Sequence, residues 1–352
     1  MKLFEPYSLR SVHLRNRIVV SPMCEYSAVE GVPQDWHLVH LGSRAVGGAG
    51  LVIAEATAVE AIGRISPEDT GLWNKTQADA WARITSFIAD HGAVAGIQLA
   101  HAGRKASTAA PWVEERTVGP DQGGWIPVAP SALAYSARYP EPVALDSDGI
   151  NAVVEAFRLA TIRAVDSGFR LIEIHAAHGY LLHEFLSPLS NLRTDEWGGS
   201  FENRIRLTRS IVAAVRSAMP ESLPLLVRIS ATDWVQGGWD IEQSIELSRL
   251  LKTGGVDLVD VSSGGLSEDQ VIDAVPGYQV PFAARIRKEA GIATSAVGLI
   301  TEARQAESIL ASGQADLVQL ARELLRDPYW PRRAAAELGV TIEPPKQYAR
   351  AW

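Results

Sequence analysis

The chain has 352 residues, a formal net charge of -8 and one cysteine, Cys24. A lone cysteine excludes an internal disulfide framework and a four-cysteine iron–sulfur site within one chain, and the negative charge disfavours general affinity for nucleic acid or anionic membrane. Hydrophobic residues at 47% and charged residues at 21% suit a soluble globular protein, and with no apolar h-region in MKLFEPYSLRSV and no run near about 18 apolar residues the expected location is cytoplasmic.

Short apolar runs alternate with longer amphipathic stretches along the whole chain. In order, the expected strands are Ile18–Ser21, Leu51–Glu55, Ala95–Leu99, Leu171–His175, Leu225–Ile229, Leu258–Val261, Thr294–Val297 and Leu317–Leu320. They are rich in Val, Ile and Leu without strict alternation, the pattern of parallel strands buried on both faces. Helices are expected near 36–47, 76–91, 146–167, 201–218, 241–254, 279–289, 301–313 and 328–338, with Gly92, Gly168, Gly255, Gly291 and Gly313 as helix-ending residues. Eight βα units without a break predict an α/β fold, a single-domain TIM (β/α)₈ barrel over residues 1–352. The longest turn-rich segment, 102–142, follows the third strand. In a barrel it leaves the C-terminal face, where active sites form, so it is expected to serve as a lid.

Polar residues where a buried strand stops point into the barrel mouth. By this rule Cys24, Tyr26, Gln98, His101, His175, His178, Tyr180, Arg228 and Arg322 form a cluster of donors with few carboxylates, suited to an electron-rich, anionic ligand. His175 and His178, in HAAHGY, could ligate a metal, yet no third ligand follows at the required spacing: His183 precedes Glu184, but position 187 is Ser. Two donors that polarise a carbonyl, with Tyr180 supplying a proton, fit better. Arg228, in LLVRIS, needs a partner, either an anionic ligand or a strand-end carboxylate such as Glu55 or Glu173. Gly298, Ala321 and Arg322 follow strands seven and eight, where barrels often hold phosphate. No G-x-G-x-x-G links a strand to a helix, so a Rossmann site is not supported. The basic run Arg326, Arg332 and Arg333 reads as a solvated helix face. The tail QYARAW follows Pro344 and Pro345, which should send it away extended, and its Tyr348, Arg350 and Trp352 are residue types common at interface hot spots.

SPMCEY at 21–26, EATAV at 55–59, IQLAHAGRKA at 97–106, EIHAAHGYLLHEFLSPLSNLRTDEWGGSFENR at 173–204 and ARELLRDP at 321–328 together resemble the Old Yellow Enzyme family of FMN ene-reductases. Cys24 and the C-terminal QYARAW place the resemblance in its YqjM-like, xenobiotic reductase A-like subgroup. The resemblance implies noncovalent FMN, lined by Ser21, Pro22, Met23, Cys24 and Ala56, with Gln98 and Arg228 at the pyrimidine end and Gly298, Ala321 and Arg322 at the phosphate. Tyr26, His175 and His178 would bind the substrate oxygen, Tyr180 would donate the proton, and Arg350 would enter from a neighbouring subunit of a homodimer or homotetramer. The implied reaction is ping-pong: NAD(P)H, more readily NADPH, reduces the flavin and leaves. An α,β-unsaturated carbonyl or nitro compound then takes hydride from flavin N5. Four departures stand out: Ala321 and Ala351 replace usual glycines, position 25 is Glu, and the loop 107–130 is long. The alternative reading is a metal-dependent lyase or isomerase on the same barrel.

Overall fold

The computed structural model describes residues 1–351, so the expectation for Trp352 lies outside the described residues. Eight parallel strands form a closed barrel: β1 Ile18–Val20, β2 Leu51–Ala58, β3 Val94–Ala100, β4 Leu171–Ala176, β5 Leu225–Ser230, β6 Leu258–Ser262, β7 Ala293–Ala296 and β8 Leu317–Leu320. Each neighbours the next, and β8 returns to β1 through pairs such as Val318 with Ile18. All residues of β2, β4, β5, β6 and β8 are buried, which is why these strands read as unbroken apolar runs. The TIM barrel expected from the pattern is the fold observed.

Helices α1 Asp35–Gly47, α2 Lys75–Asp90, α3 Ser147–Asp166, α4 Arg206–Ala218, α5 Ile241–Thr253, α6 Val280–Ala290, α7 Ala303–Ala311 and α8 Trp330–Glu337 follow the successive strands. Asn74 caps α2 by accepting from the Gln77 amide, and Asp146 and Asp240 cap α3 and α5 in the same way. The five glycines expected to end helices all have positive φ. The single helix expected over 201–218 is instead a short turn, Phe201–Arg204, separated from α4 at Ile205. A hairpin of Tyr7–Leu9 and Val12–Leu14 closes the bottom of the barrel. Its Arg10 pairs with Asp257 at 2.7 Å and its Ser11 amide donates to the Ser222 carbonyl, near the starts of β6 and β5.

Two surface expectations need correction. Arg332 is not on a solvated face: it is 4% exposed and donates to the Val46 and Glu343 carbonyls, tying α8 to α1 and to the tail. Arg326 and Arg333 are surface residues paired with Glu323. The tail does not run on extended after Pro345 but turns through a 3₁₀ segment, Lys346–Tyr348, whose Tyr348 ring lies 6.4 Å from that of Tyr329.

Candidate active site at the barrel mouth

The end of β4 organises the site. His175 is the fifth residue of that strand and is buried, while His178 and Tyr180 are half-buried in the turn that follows. His178 has φ of 58°, a conformation that costs a residue with a side chain and persists only when its surroundings fix it. Here they do. The His178 amide donates to Ser230 Oγ at 2.9 Å, and its carbonyl accepts from Lys105 Nζ at 2.9 Å. Lys105 Nζ also donates to the Gly265 carbonyl at 2.6 Å, so the segment after β3 is stitched to the loops after β4 and β6.

The two imidazoles stand edge to face, 5.1 Å between centroids, and the Tyr180 ring lies 5.1 Å from that of His175. Burial first, and the Arg228 guanidinium second, hold both histidines well below the usual imidazole range, so both are neutral. His178 Nε2 is 2.6 Å from Ser262 Oγ. Ser262 Oγ also donates to the Gln279 side-chain oxygen at 3.3 Å, an oxygen that receives Ser263 Oγ at 2.6 Å as well. His175 Nδ1 is buried without any partner from the chain. Burial, then the neighbouring Cys24, push the Tyr180 phenol well above its ordinary range, keeping it protonated.

Strand-end reading undercounted the buried carboxylates in and around the barrel. The expected donor cluster with few carboxylates is wrong in this respect: Glu55, Asp69, Glu173, Glu184 and Asp260 are all buried. Arg228 pairs with Asp260 of the adjacent strand at 2.8 Å, not with Glu55 or Glu173. Glu173 instead accepts from Gln98 Nε2 at 2.8 Å, and Glu55 faces His37 at 3.0 Å. Asp260 was missed, although a charged residue inside the apolar run LVDVS is the same signal that singled out Arg228. His101 does not join the cluster. Its Nε2 meets Glu60 at 3.0 Å and its Nδ1 accepts from the Gly103 amide, so both nitrogens are used by the fold.

Around β1 and β2, Ser21 is buried with an unpartnered hydroxyl, and Pro22 and Met23 are partly exposed. The Cys24 thiol accepts from the Ala56 amide, and burial, then Asp69 and Glu55, push its pKa well up. Cys24, Glu55 and Asp69 bring potential metal-ligand atoms within 4.8 Å of one another; neither His175 nor His178 belongs to that group. Tyr26 packs edge-on against Trp112 of the 102–142 segment at 5.6 Å. That segment is anchored by Trp125 Nε1 donating to the Ile62 carbonyl at 2.7 Å and by the Arg104 amide donating to Glu184 at 2.9 Å.

Between the ends of β7 and β8 is a cavity of about 250 Å³ lined by Gly298, Ala321, Arg322, Arg326 and Gln279. Gly298 has φ of 118°, and a Cβ there would stand 2.9 Å from the Gln279 amide nitrogen, so only glycine leaves the cradle open. Ala321 has φ of -104°, which needs no glycine, so the departure from the family pattern is tolerated by the backbone. The donors and the space suit a flavin. Guanidinium groups and open backbone at β7–β8 would suit a phosphate, Gln98 and Arg228 would suit a pyrimidine edge, and Ser21 Oγ and His175 Nδ1 are buried without a protein partner.

The sequence signature of the NADH:flavin oxidoreductase / NADH oxidase family matches residues 2–340. The chain belongs to this family of FMN enzymes. It is 51% identical to a protein named NADPH dehydrogenase from Listeria innocua serovar 6a, over 100% of this chain and 99% of that one. Among solved structures, morphinone reductase matches with a TM-score of 0.80 at 28% identity, covering 98% of this chain and 92% of that one. The old yellow enzyme homologue from Zymomonas mobilis matches with a TM-score of 0.79 at 28% identity, covering 97% and 94%. The chain is an Old Yellow Enzyme-type flavin oxidoreductase, and the alternative of a metal-dependent lyase is not favoured. No helix among the described residues is long and apolar enough to cross a membrane.

Proposed function

We propose that this flavoenzyme is an NADPH-dependent ene-reductase, acting on α,β-unsaturated carbonyl or nitro compounds. The observation that carries the reading is the pair of neutral imidazoles, 5.1 Å apart and beside a protonated phenol, at the end of β4. Neutral N–H donors aimed at one oxygen stabilise the negative charge that gathers there when a conjugated carbonyl is attacked at its far carbon. A carboxylate or a water-filled site would not.

The residues divide the work by position. His175 and His178, with Tyr26, bind the substrate oxygen. Tyr180 gives its phenolic proton to the carbon next to the activating group, opposite the face that receives hydride. Ser21, Pro22, Met23, Cys24 and Ala56 line the flavin; Gln98 and Arg228 hold its pyrimidine end, and Gly298, Ala321 and Arg322 its phosphate. Bound there, the flavin supplies hydride transfer from NADPH to substrate. Lys105 fixes His178 through its carbonyl, and the 102–142 segment that carries Lys105 acts as a lid that excludes water. Arg350 is exposed on its own protomer, which suits the reading that it reaches the site of a second copy in a homodimer or homotetramer.

The test begins with colour. The purified protein should be yellow, NADPH should bleach it without oxygen, and an enone or nitroalkene should restore the colour. A reduced flavin that only oxygen reoxidises would remove the ene-reductase reading while leaving the flavin site intact.

A further inference from the structure

Two buried carboxylates, Glu173 and Asp260, share the Arg228 guanidinium below the barrel mouth. Glu173, Arg228 and Asp260 stand on β4, β5 and β6, three consecutive strands. Strand register sets Arg228 beside Asp260 on one side and beside His175 on the other. Both carboxylates are fully buried. The Arg228 guanidinium meets Asp260 at 2.8 Å, and Gln98 donates to one Glu173 oxygen at 2.8 Å. Glu173 Oε2 and both Asp260 oxygens lack a well-aligned hydrogen bond, and the Gln319 side chain from β8 lies close enough to favour the ionised form of each carboxyl.

One guanidinium cannot balance two carboxylates, and an uncompensated charge inside a closed barrel is costly. The pair therefore keeps one proton while the flavin is oxidised. Burial raises Glu173, and the Asp260 charge raises it further, against Arg228, Gln98 and Gln319; burial raises Asp260 against Arg228 and Gln319. The two titrate as a unit. Facing Arg228 from the mouth are His175 and His178, both held neutral, and beyond them Lys105, which burial lowers to about 7 and whose Nζ is held by the His178 and Gly265 carbonyls; a proton taken up there would show no carboxyl band.

We propose that the Glu173–Arg228–Asp260 cluster takes up a second proton when the flavin is reduced and releases it on reoxidation. The proposal rests on the reading that Arg228 holds the flavin's pyrimidine end. Hydride from NADPH carries two electrons and one hydrogen to the flavin and leaves NADP⁺, so one negative charge arrives beside Arg228. The guanidinium is drawn toward that charge and its hold on Asp260 weakens. A proton from solvent then bonds to a carboxylate oxygen of the pair, and the interior stays neutral. On reoxidation the hydride passes to the substrate, the charge beside Arg228 disappears and the carboxyl proton returns to solvent. The substrate's other hydrogen comes separately from Tyr180, which is refilled from water. The cluster is thus a charge compensator that positions the flavin's electron affinity; it does not touch the reacting carbon.

Holoenzyme in weak buffer with a pH-indicator dye at neutral pH, reduced with stoichiometric NADPH under anaerobic conditions, should take up about one proton per flavin. The reduced-minus-oxidised infrared spectrum should gain a protonated-carboxyl band that shifts in D₂O. The double variant Glu173→Gln/Asp260→Asn should lose the uptake and the band, with a change in the pH dependence of the flavin potential, whereas either single substitution leaves one carboxylate beside Arg228 to take the proton. Uptake that persists in the double variant with no carboxyl band puts the proton elsewhere and overturns the proposal. If a variant does not fold, the infrared spectrum of the unmodified enzyme decides alone: no band on reduction ends the idea. A protein that binds no FMN removes the flavin reading itself, whereas one bleached by NADPH without proton uptake removes only the cluster's role.

Discussion

The end of β4 and the C-terminal tail both carry side chains read as binding substrate, and they are built in opposite ways. At β4 every group is held from several sides. Ser230 takes the His178 amide, Lys105 its carbonyl and Ser262 its ring, and β4 itself is paired along its length with β3 and β5. In the tail, Tyr348 approaches one ring of its own chain and Arg350 stands exposed. A side chain fixed by its own fold can be placed to fractions of an ångström, as catalysis demands. An exposed arginine at the end of a tail gains an address only from a surface it meets, which ties its contribution to association.

That contrast predicts a graded series of effects. The largest belongs to the proposed proton donor: Tyr180→Phe should slow enone reduction by on the order of 10³-fold. Flavin reduction by NADPH should stay nearly unchanged in this variant. Stopped-flow measurement of the two half-reactions checks this, and equal slowing of both would point to a binding or folding defect instead. Next, His175→Ala or His178→Ala should cost on the order of 10²-fold in substrate turnover, the usual loss of one oxyanion donor, and weaken binding of phenolic ligands. EDTA should change nothing. Loss of activity on chelation, with recovery on adding zinc, would break the reading of these histidines as donors.

The tail should respond more mildly and in another coordinate. Arg350→Ala should raise KM roughly tenfold, the worth of one charge-assisted hydrogen bond, with kcat and the oligomer preserved in sedimentation. A fully active monomer, or unaltered kinetics in Arg350→Ala, would sever the tail from the site. The smallest effect on turnover is expected at Cys24→Ala, because a thiol alters the flavin's surroundings without reacting. Its signature should be a shifted flavin potential and absorption spectrum, read by anaerobic titration, and an unchanged potential would leave Cys24 a small core residue.

The sequence by itself determined the barrel and most of its mouth. Buried parallel strands must be apolar on both faces, so the runs at Leu171, Leu225 and Leu258 announce themselves, and the polar residue that ends each run marks the site. His175, Tyr180, Arg228 and Gly298 are legible in this way, and the block from Glu173 to Arg204 is specific enough to name the family. Only the tertiary structure decided which charges meet. Arg228 finds Asp260 because β5 and β6 are in register there, and His101 is lost to Glu60 and the Gly103 amide although it too follows a strand. Lys105 reaches the His178 carbonyl across 73 residues of chain, and Arg332 leaves an expected solvated face for the carbonyls of Val46 and Glu343. Periodicity is a property of one strand or helix and survives in one dimension. Partnership between ionised groups depends on register and on loop packing, which exist only after the chain has closed on itself.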